Sequence, residues 1–312
     1  MELKLNKALD CIADFTYNFL WQHKGTKLNP TDRIPSQVGT SYTYEDVVEA
    51  LRRGEDVHIK GDAGNRLGSS LGVDLCYFGG NGKEIAETGS IIVDGDVGSY
   101  MGMSMVSGAI YVRGEIKEPL GNVVEVKSDK RGYKKFVSLT WLLNHPEASL
   151  LEPNEYRGDE LVLKDGLIRS TLAARCRAPV RIRVQGDTGI STGILMRSGT
   201  IVVEGNAGMN TGALLNGGSV VILGDAAEFT GVEMRSGVVL VAGKCRAYVG
   251  AKMTGGHIIC RMTRPVPPVK ERALTGEDIA LLSDFGISGI LVMNYRRYEL
   301  NKSIENSHDY KT

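Results

Sequence analysis

A nineteen-residue glycine period constrains this chain more than any other feature. Gly186, Gly193 and Gly199 are followed by Gly205, Gly212 and Gly218, then Gly224, Gly231 and Gly237, then Gly243, Gly250 and Gly256, so each unit reads G-x6-G-x5-G-x5. A further copy lies upstream at Gly95, Gly102 and Gly108, with Gly114 opening another. An opening copy starts at Gly61 and Gly68 and resumes at Gly89 after an insertion. A helix is excluded, because a glycine every six or seven residues would cost about 1 kcal/mol each. A fixed period of this kind belongs to solenoids, in which each repeat buries its apolar surface against its neighbours.

The residues after the third glycine set the geometry. Ser90-Ile-Ile-Val-Asp94, Ala109-Ile-Tyr-Val-Arg113, Thr200-Ile-Val-Val-Glu204, Ser219-Val-Val-Ile-Leu223, Val238-Val-Leu-Val-Ala242 and His257-Ile-Ile-Cys-Arg261 are short β-branched runs bounded by glycine, the pattern of strands. The same strand recurs once per unit with no crossover helix, so copies stack in parallel. The expected fold is all-β: a parallel β-helix of about seven 19-residue coils with helical flanks and one large insertion. Residues 1–55 form the amino-terminal flank, 56–262 the β-helix with insertions at about 72–88 and 122–179, and 263–312 a tail with one helix.

Period-2 alternation assigns faces. Ile91, Ile110, Ile201, Val220, Val239 and Ile258 point inward, as do Val93, Val112, Val203, Ile222, Val241 and Cys260. The residue between them points outward and is also apolar: Ile92, Tyr111, Val202, Val221, Leu240 and Ile259. A wet face would alternate to polar, so this sheet is covered on both sides. Leu71, Met105, Met196, Leu215, Met234 and Met253 form another ladder, read as core filling. Asp62, Asp96, Asp187, Asn206 and Asp225 follow first glycines, where a side chain satisfies turn amides. Helices are expected over Asn6–His23, over Thr43–Arg53 capped by Thr43, and from a Thr275 cap to Phe285.

Composition excludes several function classes. Equal numbers of basic and acidic residues, 37 each, supply no general positive field for nucleic acid or anionic lipid. The amino terminus lacks an apolar leader pattern, and no run of about 18 apolar residues occurs, which predicts a soluble, cytoplasmic protein. Five scattered cysteines without a C-x-x-C pair read as free thiols, and the five histidines show no metal spacing. His257 reads as a surface histidine at the sheet edge. Gly189-Ile-Ser191-Thr-Gly193 matches the nucleophile-elbow string, but both glycines belong to the repeat and no helix follows. Gly61-Asp-Ala-Gly64 lacks the helix and Gly-Lys-Ser/Thr of a phosphate loop. Lys127, Lys130, Arg131, Lys134 and Lys135 form a basic run in the long insertion, read as a solvated surface or, alternatively, an anion or partner patch. A polysaccharide lyase needs acids along an outer groove, whereas Asp187 and Asp225 sit at corners. A hexapeptide acyltransferase would repeat in three sixes.

These units, above all Gly205-Asn-Ala-Gly-Met-Asn-Thr-Gly-Ala-Leu-Leu-Asn-Gly-Gly-Ser-Val-Val-Ile-Leu-Gly224, resemble the repeat shared by the C-type subunit of formylmethanofuran dehydrogenase and the carboxy-terminal domain of the glutamate synthase large subunit. The resemblance spans roughly residues 55–262 apart from the insertions. Pro119-Leu-Gly-Asn122 and the self-standing chain bring it nearer the first. It implies a right-handed parallel β-helix, a cytoplasmic setting, and a non-catalytic scaffold subunit in one-carbon metabolism and methanogenesis. It also implies no catalytic, cofactor or metal residue in this chain. The partners would be other subunits of an oxidoreductase complex that carry molybdenum or tungsten pterin, zinc and iron–sulfur clusters, with no nucleic acid and no membrane. A glutamate synthase-type subunit and a stand-alone β-helical acyltransferase or esterase are the alternatives.

Overall fold

The computed structural model describes residues 1–17, 29–74, 87–145, 147–261 and 263–301. The strands form a β-solenoid of about nine turns, with little helix. The chain divides into two compact units, Met1–Glu152 with Leu167–Leu172, and Pro153–Gly166 with Ala173–Thr312.

In the first unit, β1 (Glu2–Lys4), β2 (Val57–Lys60), β3 (Ile91–Val93) and β4 (Ala109–Val112) pair in parallel in that order. The ladder then reverses: β6 (Lys134–Ser138) runs antiparallel to β4, and β5 (Val123–Val126) antiparallel to β6. Helix α1 (Tyr44–Arg52) starts as expected, with the Thr43 side chain accepting from the Asp46 amide and the Asp46 carboxylate accepting from the Thr43 amide. Its Val47, Val48 and Leu51 enter the same core as Leu3, Ile59 and Ile91. A four-residue helix, α2 (Leu139–Leu142), follows β6.

The expected helix over Asn6–His23 is not there. Residues 18–23 lie outside the described residues, and those before them form another coil. Leu5 N donates to Lys60 O at 2.9 Å, Cys11 N to Asn65 O at 2.8 Å and Phe15 N to Ser69 O at 2.9 Å. The terminal coil of a stack offers a row of unpaired amides and carbonyls, and a segment that matches it satisfies them.

In the second unit, β8 (Glu160–Leu163), β9 (Arg181–Val184), β10 (Thr200–Val203), β11 (Asn216–Ile222), β12 (Ser236–Val241) and β13 (His257–Arg261) pair in parallel. β7 (Glu155–Arg157) closes one edge antiparallel to β8. At the other, β15 (Tyr295–Leu300) pairs antiparallel with β13, and β14 (Val269–Arg272) with β15. The segment 122–179 expected as insertion therefore contains a coil, entered through β8.

Both unexpected coils lack the glycine signature because other residues take its backbone conformation. Around Gly193 (φ 74°), Ser191 and Leu195 are also left-handed, at 62° and 57°. In the coil entered through β8 the same triplet is Thr171, Ala173 and Arg175, at 54°, 55° and 61°, and in the first coil Cys11 and Ala13 lie at 63° and 58°. Such conformations cost a non-glycine residue roughly 1–2 kcal/mol, which stacking offsets here.

At Gly95, Gly114, Gly205, Gly224 and Gly243 the first glycine has a different reason to be glycine. Asp187 Oδ1 accepts from the amide of Asn206 at 2.6 Å, Asn206 Oδ1 from that of Asp225 at 2.9 Å, and Asp225 Oδ1 from that of Lys244 at 2.8 Å. Asp62 and Asp96 repeat the pattern in the first unit, binding the amides of Asp96 and Glu115. These side chains satisfy the next coil's corner, not their own turn. A Cβ on Gly205 would overlap Asp187 Oδ1.

The inward ladders are buried as expected, with Ile201, Val203, Val220, Ile222, Val239 and Val241 all at 0% exposure, and the methionine ladder is core. The outward stripe is buried too. In the second unit Val202, Val221, Leu240 and Ile259 cluster with Leu282, Ile287 and Tyr295, so the cover is helix α3 (Gly276–Asp284, capped by Thr275) and the segment after it. In the first unit Tyr111 is covered by the insertion: the Lys130 and Lys135 ammonium groups sit 5.1 and 5.3 Å from its ring centre.

A buried polar cluster fastens the α3 cover. Arg297 Nη1 donates to Asp278 Oδ1 at 2.8 Å, and His257 Nε2 lies 3.2 Å from the same oxygen. His257 is therefore not a surface residue: its side chain is 17% exposed and that of Asp278 is 2% exposed. Burial, and then the Arg297 charge, lower the His257 pKa against the opposing pull of Asp278. Burial opposes the Asp278 charge, but hydrogen bonds from Thr275 and Arg297 outweigh it and hold the carboxyl below its usual range.

The covered sheet makes both of its faces sensitive to charge. Val203→Asp and Leu240→Asp should each cost several kcal/mol and prevent a cooperative thermal melt, since inward and outward positions are equally dry. A mild Leu240→Asp phenotype would mean that α3 does not lie on the sheet. The buried cluster adds a dependence on pH. A group whose pKa is lowered in the folded state contributes stability that is complete above its unfolded value and is lost as pH falls towards the folded value. For His257 the loss starts below about pH 6.5, and for Asp278 below about pH 3.9. Melting temperature should therefore drop on acidification from pH 7 to 5, and His257→Gln should flatten that slope.

Candidate functional site

The strongest side-chain constellation lies on the outward face of the first unit, around Asp94 at the end of β3. Lys60 Nζ donates to Asp94 Oδ2 at 2.7 Å, and the Tyr133 hydroxyl donates to Oδ1. His58 Nε2 and Arg113 Nη2 stand 3.8 and 3.9 Å from Oδ1, and the Arg113 guanidinium lies over the Tyr133 ring, 4.7 Å from its centre. The repeat explains the meeting. Lys60, Asp94 and Arg113 each immediately precede the first glycine of their unit, so parallel stacking puts them in one column. Motifs within a unit do not reveal them, because the relation runs across units. The alternating charges at one repeat position were the available signal.

Lysine, tyrosine, histidine and aspartate in contact suggest proton transfer, but the electrostatics oppose it. Hydrogen bonds from Lys60 and then Tyr133 hold the Asp94 carboxyl below its usual range. The bond to Asp94 pushes the pKa values of Tyr133 and Lys60 up. All three shifts move away from neutrality, whereas an acid–base catalyst works best with a pKa near the operating pH. The arrangement pins Tyr133, which lies between β5 and β6, onto the face of the coil.

The basic run does not form one patch. Lys135 Nζ bonds Asp129 Oδ1 at 2.8 Å, and chiefly through that bond the Asp129 pKa falls to about 2. Lys130 shares the Tyr111 ring with Lys135, and Lys134 Nζ stands 3.9 Å from Glu115. Lys127 lines a pocket of about 310 Å³ with Val126, Val137 and Trp141, and the Asp129–Lys135 pair lines the same pocket. Arg131 is exposed. Lys130 and Lys135 thus act as cover for Tyr111.

Ser191 does have the positive φ of a nucleophile elbow, 62°, yet Asn210, Phe229 and Tyr248 at the same repeat position have φ of 63°, 63° and 64°. The turn belongs to the coil and not to any chemistry of the serine. Among the described residues no group of three or more His, Cys, Asp or Glu is placed to hold a metal ion, and no helix is long and apolar enough to cross a membrane.

The second unit has two neighbouring pockets beside the α3 cover. One, of about 400 Å³, lies between corner residues Asp225, Lys244 and Arg261 and cover residues Phe285, Ile287 and Leu291. The other, of about 470 Å³, is lined by Lys244, Cys245, Arg261, Met293 and Asn294. Above them the 3₁₀ helix Gly289–Asn294 carries the most exposed large apolar side chains among the described residues, Ile290 at 79% and Met293 at 70%, with Leu291 half exposed.

No family model matches the chain. Among solved structures, the formyltransferase/hydrolase complex (FhcABCD) from Methylorubrum extorquens, in complex with methylofuran, aligns over 96% of this chain and 94% of its own, at 16% identity and a TM-score of 0.28, a likeness too low to carry an argument. The chain is 56% identical over 292 residues to an uncharacterized protein of Methanothermobacter thermautotrophicus (strain Delta H), matching 92% of each length, and it belongs to that protein's family.

Proposed function

We propose that this chain is a non-catalytic scaffold subunit that docks other protein subunits in a formylmethanofuran dehydrogenase-type complex of cytoplasmic one-carbon metabolism. The observation that carries the docking role is the apolar ridge Ile290, Leu291 and Met293, raised on a 3₁₀ helix beside the Lys244 and Arg261 pockets. Large apolar side chains grouped on a rim of polar residues mark protein contact surfaces. The G-x6-G-x5-G-x5 resemblance supplies the kind of complex. In this reading the molybdenum or tungsten pterin, zinc and iron–sulfur clusters belong to the partners. The repeat's own polar residues serve stacking: Asp187, Asn206 and Asp225 each bind the amide of the following coil.

Affinity purification of the tagged full chain from its source organism tests both parts. The expected result is co-purification of an amidohydrolase subunit and a molybdenum- or tungsten-containing subunit. Leu291→Asp combined with Met293→Asp should abolish that co-purification while changing folding stability by no more than about 0.5 kcal/mol per site, as surface changes do. A chain that purifies alone would overturn the scaffold reading. Co-purification that survives the double variant would move the contact elsewhere.

A further inference from the structure

Cys245 and Cys260 meet at one corner of the second unit. Cys260 is the second inward residue of β13, paired with Val241 and fully buried. Cys245 stands two residues past Gly243, bridged in parallel to Ala226, and is half-buried. They flank one corner, with Cys245 four residues past the Val241 on which Cys260 stacks; the Cys245 side chain, ahead of burial, pushes the Cys260 pKa up, and both cysteines are free. In the preceding coils these two repeat positions hold Ala226 with Val241, Ala207 with Ile222, and Thr188 with Val203. Packing at this corner is thus met without sulfur, and only the last full coil places a thiol at both positions.

The two sulfurs differ in access. Cys245 opens onto the pocket of Lys244, Arg261, Met293 and Asn294, while Cys260 is fully buried and does not line it. Lys244 and Arg261 are basic residues at the mouth, so it attracts a small anion, and Met293 gives it an apolar wall.

We propose that Cys245 and Cys260 form a thiol–disulfide exchange site for a small, negatively charged disulfide, with Cys245 as the attacking sulfur and Cys260 as the resolving one. Cys245 gives up its proton to solvent and attacks one sulfur of the incoming disulfide. That bond breaks, a mixed disulfide forms on Cys245, and the first half leaves as a thiolate. Cys260 then loses its proton and attacks the Cys245 sulfur, expelling the second half as a thiolate. In sum two protein thiols are oxidised to one internal disulfide and the reagent is reduced to two thiols, with no other electron donor or acceptor. The bond would tie the corner after β12 to β13, the strand on which β15 pairs.

The probe is 5,5′-dithiobis(2-nitrobenzoate), an anionic aromatic disulfide, added to the folded full chain while released thionitrobenzoate is followed by absorbance. The wild type should release two equivalents more than Cys245→Ala. Cys260→Val, which restores the residue of the preceding coil, should release one less than wild type and keep the adduct on Cys245 by intact mass. Peptide mapping of the treated wild type should find Cys245 linked to Cys260. Release by the wild type should slow as salt is raised, because the basic mouth is screened. A wild type that keeps the adduct on Cys245, or a map without the 245–260 link, overturns the proposal even if a variant fails to fold.

Discussion

The bond from an Asp or Asn side chain to the corner amide of the following coil is the contact on which the stack depends. Asp187, Asn206 and Asp225 pass it from coil to coil, and Asp62 and Asp96 do the same in the first unit. Each such bond lies at an exposed corner and contributes only about 0.5–1.5 kcal/mol net, so its effect comes from repetition in successive coils. The bond also dictates composition. The accepting oxygen occupies the space a Cβ would need at the next first glycine, as at Gly205 under Asp187, so the Asx residue and the glycine one coil on are selected together.

Because the repeat's polar residues serve stacking, distinctive chemistry has to come from departures from the repeat. Three stand out. The column Lys60, Asp94 and Arg113 stacks alternating charge in three successive coils and gathers Tyr133 and His58. The pair Cys245 and Cys260 replaces an aliphatic corner. His257, where the five other glycine-led strands carry Ser, Ala, Thr or Val, meets Asp278 and Arg297. The first and third fasten covers to the sheet through ion pairs and hydrogen bonds. The second leaves one sulfur, that of half-buried Cys245, in the lining of a pocket.

The two units also close their outward faces by different physics. In the second, four aliphatic residues of the stripe pack under Leu282, Ile287 and Tyr295, so burial of apolar surface holds the cover and the Asp278 cluster sets its position. In the first, Tyr111 carries two ammonium groups on its ring and its hydroxyl bonds Asp129 at 2.8 Å, and Tyr133 bonds Asp94, so charge and hydrogen bonds around two tyrosines hold the cover. The cover of the first unit is the more sensitive to salt, that of the second to loss of volume.

The sequence by itself determined the coil: the period, the parallel strands, the inward ladders, the dry outward stripe, and the Thr43 and Thr275 helix caps all follow from local pattern. It did not reveal the coils at residues 2–15 and from β8 onward, because Ala13 and Ala173 adopt a backbone conformation that glycine advertises and alanine does not. Nor did it show which segment covers the stripe, since an apolar face requires a partner without specifying one; only tertiary packing put α3 there. Contacts across coils were the least legible. His58 with Asp94, and Cys245 with Cys260, are brought together by register between strands, a relation that exists only once the coils are stacked.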